Sequence, residues 1–135
     1  MKLQFVSSGD YQTYEVVDYR GPYHEQRVEL WTHAWPLFDG GGRKRYNYTP
    51  EEYQKDVLSL VGYARFHWSP RPPVETMLEV ARILNEDARK DWEQAYEKYP
   101  DAVEPWVPLC KGIAYWMGDG WTTVDLGEAN PHMGV

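Results

Sequence analysis

The chain has 135 residues, the size of one domain and enough to bury a core without metal or disulfide staples. Its single cysteine, Cys110, excludes an internal disulfide, and no apolar run approaches the roughly 20 residues needed to cross a bilayer. The formal net charge of −7 is concentrated late: residues 1–67 carry 8 Lys/Arg and 9 Asp/Glu, residues 68–135 carry 6 and 12. An acidic second half disfavours a nucleic-acid backbone as partner and favours a protein with a basic surface. The N-terminus, MKLQFVSSGD, lacks the apolar core of a secretory signal, so a soluble cytoplasmic protein is expected. Seven Trp and eleven Tyr stand against three Phe. Tyr and Trp pair an apolar body with a polar tip, which suits half-buried and interface positions.

Residues 2–6 alternate, with Leu3 and Phe5 on one side, and Ser7-Ser8-Gly9-Asp10 follows as a turn cluster. Tyr11–Tyr19 is rich in β-branched and aromatic residues and pairs with the first stretch as an antiparallel hairpin. Arg27–Trp35 (RVELWTHAW) reads as a third strand. Its Val28, Leu30 and Ala34 share one face, and Glu29, Trp31, His33 and Trp35 share the other. A face of Glu, His and two Trp is not a simple solvent face. It marks either a helix-covered surface or a binding surface. Pro36 ends this strand.

Leu37–Tyr48 is a loop containing three consecutive glycines and the basic run Arg43, Lys44, Arg45. Thr49-Pro50-Glu51-Glu52 carries the signature of a helix start. Thr49 caps, Pro50 takes the first position and Glu52 completes a capping box. The expected helix presents Tyr53, Val57, Leu60, Val61, Ala64 and Trp68 on one face and stops by Trp68. The segment Ser69-Pro70-Arg71-Pro72-Pro73 cannot continue it.

Val74–Tyr99 holds the longest unbroken helical periodicity. Val74, Met77, Leu78, Ala81, Leu84, Ala88, Trp92, Ala95, Tyr96 and Tyr99 share one face. Val80 and Ile83 lie off that stripe, so the middle of the helix is buried on more than one side or meets a partner. The helix spans on the order of 39 Å, longer than a small domain needs. After Pro100 two readings fit. Trp106, Leu109, Cys110, Ile113 and Met117 follow helical spacing up to Gly118. Alternatively Ile113–Met117 forms a hairpin with Trp121–Asp125 across Gly118-Asp119-Gly120. Spacing favours the helix, with a final strand at Trp121–Leu126 and a loose tail.

Three constellations are candidates for function. Glu75, Glu79, Glu86, Glu93 and Glu97 form a file within about 40° on the helical wheel, extending over roughly 33 Å. Such a line of carboxylates imitates a phosphate backbone, although Arg82 and Arg89 lie at i±3 and i±4 and lace it. The loop GGGRKR offers backbone N–H groups and the cations Arg43, Lys44 and Arg45 to an anion, without the pattern of a P-loop. The strand face of Glu29, Trp31, His33 and Trp35, with Asp39 nearby, suits a small enzyme or a carbohydrate binder.

His24-Glu25 and His33, with Asp39, are the nearest approach to a metal set. They lack helical zinc spacing, so neither a metal nor a cofactor is expected. Cys110 sits among Trp106, Leu109 and Ile113 and reads as a buried thiol. Together these features predict one α+β domain over residues 1–135. An antiparallel sheet from the first third packs against two or three helices, one of them long and central. The function expected is a non-enzymatic protein-binding module, an acidic, aromatic-rich inhibitor or adaptor of the kind viruses and mobile elements encode. The rival readings are the sheet-face enzyme or carbohydrate binder, and a structural subunit assembling through Val80, Ile83 and tyrosines.

Overall fold

The computed structural model describes residues 1–9, 11–21 and 26–127. His24, Glu25 and His132, with the tail expected to be loose from residue 128 on, lie outside the described residues. The architecture is α+β: a six-stranded sheet in the order β1-β2-β3-β4-β5-β6, with one long helix. The strands are β1 Leu3–Ser8, β2 Gln12–Val16, β3 Arg27–Leu30, β4 Tyr63–Phe66, β5 Gly112–Trp116 and β6 Trp121–Asp125. All neighbours run antiparallel except β4 and β5, which are parallel. The parallel pair needs a crossover, and the long helix, α2 (Val74–Lys98), supplies it.

Leu3, Tyr14, Val16, Val28, Leu30, Ala64, Phe66 and Ile113 turn toward α2. They form the main core with Met77, Leu78, Val80, Ala81 and Leu84. The middle of α2 is thus buried over a broad arc, and Val80 is part of the core. That removes Val80 from any exposed apolar patch, while Ile83 is half-buried. Asn85 fastens the same helix to the segment leading into β5. Its Nδ2 donates to the Cys110 carbonyl at 3.0 Å, and its Oδ1 accepts from the Cys110 N–H at 2.7 Å.

Four sequence expectations need correction. The helix begun by Thr49 does carry its capping box, but α1 covers only Pro50–Asp56. A 3-10 turn at Leu58–Leu60 follows, and Gly62, at φ +88°, turns the chain into β4. That left-handed conformation suits glycine and ends any helix. Residues 112–116 form a strand, so the hairpin reading is the right one there. β3 ends at Leu30 rather than Trp35. Leu30 pairs with both Gln12, the first residue of β2, and Ala64, so β2 offers nothing further, and beyond Leu30 the Gly62 N–H donates to the Trp31 carbonyl at 2.8 Å before the chain turns away. The sheet therefore draws strands from both ends of the chain, not from the first third alone.

Candidate functional site

The acidic file lies on α2, and the core explains its position. Burial of Met77, Ala81 and Leu84 points the opposite wheel direction to solvent. Glu75, Glu79, Glu86, Glu93 and Glu97 are all exposed, and the helix beneath them is unbroken for 25 residues. Arg89 pairs with Glu93 at 2.9 Å, one of the expected i, i+4 laces. Beyond Ala88 the helix leaves the main core. Trp92 stacks on Tyr96 with ring centroids 5.1 Å apart, and Trp106 stands at 62° to Trp92. The Trp92 indole N–H donates to the Glu104 carbonyl at 2.7 Å, which ties the returning chain to the helix.

Between them Arg89, Trp92, Glu93, Tyr96, Pro105 and Trp106 line a groove of about 400 Å³. Tyr96 is 48% exposed and Tyr99 65%. On the other flank of α2, Asp87 and Asp91 rim a second groove of about 590 Å³ floored by Leu3, Phe5, Tyr14 and Leu84. Burial, with the nearby Asp87 and Asp91 charges, raises the Tyr14 pKa above its ordinary value.

The glycine-rich loop is tightly turned. Lys44 bridges to Phe38, Gly42 takes φ +81°, and the Asp39 side chain accepts from the N–H groups of Gly41 (2.9 Å) and Arg43 (2.8 Å). The chain's own carboxylate thus occupies two donors that an outside anion would use. Arg43, Lys44 and Arg45 are exposed, with the Arg45 guanidinium 5.0 Å from the centre of the Trp35 ring.

The sheet-face candidates divide at the end of β3. Glu29 lies on the face away from α2, and Trp31 follows directly after β3, its ring stacked on Tyr11. His33 and Trp35 lie beyond the strand, where their rings meet edge to face at 6.0 Å. The histidine brought to Glu29 is His67, at 3.3 Å, just past β4. Ser7, Tyr11, Thr13, Arg27, Glu29 and His67 line a polar cleft of about 250 Å³, and the His67 ring also meets Trp121 edge to face at 5.4 Å. Extending the helix through residue 68 hid His67. The alternation of Ala64, Phe66 and Trp68 after Gly62 was the signal that could have revealed it.

Arg65 is the cross-strand partner of Glu29 on β4. It is 6% exposed, 4.8 Å from the Trp31 ring centre, and donates to the Val57 carbonyl at 3.4 Å. Burial pulls its pKa down, opposed by the Glu29 charge. A small second cluster of Trp31, Leu37, Tyr53 and Val57 packs there.

Cys110 is buried, its thiol donating to the Gly112 carbonyl, and burial pushes its pKa up to about 11. A thiol so placed is a poor nucleophile. Among the described residues no group of three or more His, Cys, Asp or Glu is arranged to hold a metal ion, and no helix is long and apolar enough to cross a membrane. Comparison of this chain with protein-family models, with curated proteins and with solved structures found no match.

Proposed function

We propose that the chain is a non-enzymatic protein-binding module of the cytoplasm, an inhibitor or adaptor whose acidic helix face engages a basic surface of a partner protein. One observation carries this reading: five exposed glutamates run along a single unbroken helix and end beside a cluster of Trp and Tyr. Carboxylates steer a basic partner and set its register, while large aromatic side chains supply the desolvated contacts that hold it. The same charge opposes direct contact with nucleic acid. The test is capture of partners from source-cell extract by wild type and by the triple variant Glu79→Lys, Glu86→Lys, Glu93→Lys, with identification by mass spectrometry. Loss of a basic protein from the variant's catch is expected. Identical catches would rule out the helix face as the contact.

A second reading, a small carbohydrate-binding or catalytic domain, has its own support in the polar cleft where Glu29 meets His67 beside three hydroxyl side chains. It predicts that sugars perturb the His67 ring resonances in solution. A panel of mono- and disaccharides without effect would retire it.

A further inference from the structure

We infer that the aromatic groove on the C-terminal half of α2 docks an extended, proline-rich segment of a partner protein flanked by arginine or lysine. The inference rests on the reading of α2 as a partner-binding arm and adds the class of peptide that the arm takes.

The groove's shape selects the peptide's conformation. One wall is the helix itself, whose backbone donors and acceptors are spent along its own axis. An added β-strand would find no ladder there. An amphipathic helix needs a trough long enough for anchors at i, i+4 and i+7, about 10 Å of continuous apolar floor, whereas the apolar side chains that α2 gives the groove, Trp92 and Tyr96, span only about 6 Å of its axis. A polyproline segment needs neither. It has no internal hydrogen bonds, its backbone is already ordered, and its rings pack flat against aromatic planes. Trp92 and Tyr96 stack on each other, 16° from parallel, so a proline ring meets their outer faces and edges, and Trp106, at 62° to Trp92, stands as a second wall. The Trp92 indole is fixed by its bond to Glu104, so one wall is set before any ligand arrives.

Charge selects what flanks the prolines. Residues 86–104 carry seven carboxylates against three cations. Glu93 lines the groove, and Glu97 sits one turn further along the helix. Arg89 already displays the preferred chemistry: its guanidinium lies 5.8 Å from the Trp106 ring centre and 2.9 Å from Glu93. An incoming arginine repeats that arrangement against Glu97 and Tyr96.

The test is a titration of the isotope-labelled full chain with a short synthetic polyproline peptide bearing arginine at each end, read at the tryptophan indole N–H signals. Saturable shifts at Trp92 and Trp106 are expected, with about tenfold weaker binding for Tyr96→Ala. Because Tyr96 is about half exposed and lies outside the main core, that variant should keep the fold, as circular dichroism will verify. Three results would overturn the inference. The indoles do not shift; a control peptide with every proline replaced by alanine binds equally well; or the shifts appear when the protein alone is concentrated, which means a second copy fills the groove. Glu75→Lys with Glu79→Lys, at the far end of α2, should leave peptide affinity unchanged while weakening partner capture. Absent peptide binding with capture intact sinks the peptide class alone. Lost capture with peptide binding intact keeps the groove.

Discussion

Asn85 shows how much a single side chain carries. Among the described residues it and Arg65 are the buried polar side chains, and its amide satisfies both backbone groups of Cys110. Asn85→Ala leaves that buried N–H and C=O unpaired. At on the order of 1–3 kcal/mol for each orphan, the expected loss is about 3 kcal/mol, read from denaturant unfolding. A loss well under about 1 kcal/mol would mean that the Cys110 segment finds other partners.

Tyr63 gives a pH signature. Its hydroxyl donates to Asp125 at 2.6 Å, and that bond, with burial, raises its pKa above the usual 10.0. The unfolded chain therefore sheds this proton first as pH rises. The bond's contribution is complete below 10.0 and is lost as pH climbs through the higher folded value. Stability should fall with rising pH above 10.0, and Tyr63→Phe should flatten part of that fall in an alkaline unfolding series. An unchanged slope would deny Asp125 this role.

At the scale of elements, the β5–β6 hairpin depends on a missing side chain. A Cβ built on Gly112 would lie 2.2 Å from the Val124 carbonyl oxygen and 2.8 Å from the Asp125 Cα. Both are backbone atoms, so the strand itself must move. Gly112→Ala should cost about 2–3 kcal/mol and speed hydrogen exchange at the Leu126 amide, which bonds to Lys111. Wild-type stability and exchange in that variant would contradict the close approach.

The same region explains what the sequence hid. α2 was readable because 25 residues of one periodicity leave no competing pattern. The capping box at Thr49 was readable because it is local. β4 was not, because four residues supply too little alternation. Tyr53, Val57, Leu60, Val61, Ala64 and Trp68 satisfy helical spacing as well as the real succession of helix, 3-10 turn and strand. What decides the matter is distant: Val28 and Ile113 flank β4 through pairings far away in the chain. Residues 112–116 were ambiguous for the same reason.

Across the whole molecule, the acidic ridge was legible in full, since wheel position alone separates it from the core stripe. The polar cleft was half legible. Glu29 could be placed on a face, but its histidine arrives from another strand, and only tertiary pairing chooses His67 over His33. The aromatic groove was legible as composition and not as a place. Trp106 reaches Trp92 because the chain doubles back along the helix after Pro100.

The parallel pairing of β4 with β5 also sets an order of events during synthesis. The ribosome delivers β1 through β4, and then the whole of α2, before the first residue of β5 exists. Until then β4 is a bare sheet margin bearing Ala64 and Phe66, open to any passing strand. The nascent chain must keep that margin out of trouble for as long as it takes to make some forty-five more residues, and the helix meanwhile lying over the adjoining face is its nearest native shelter.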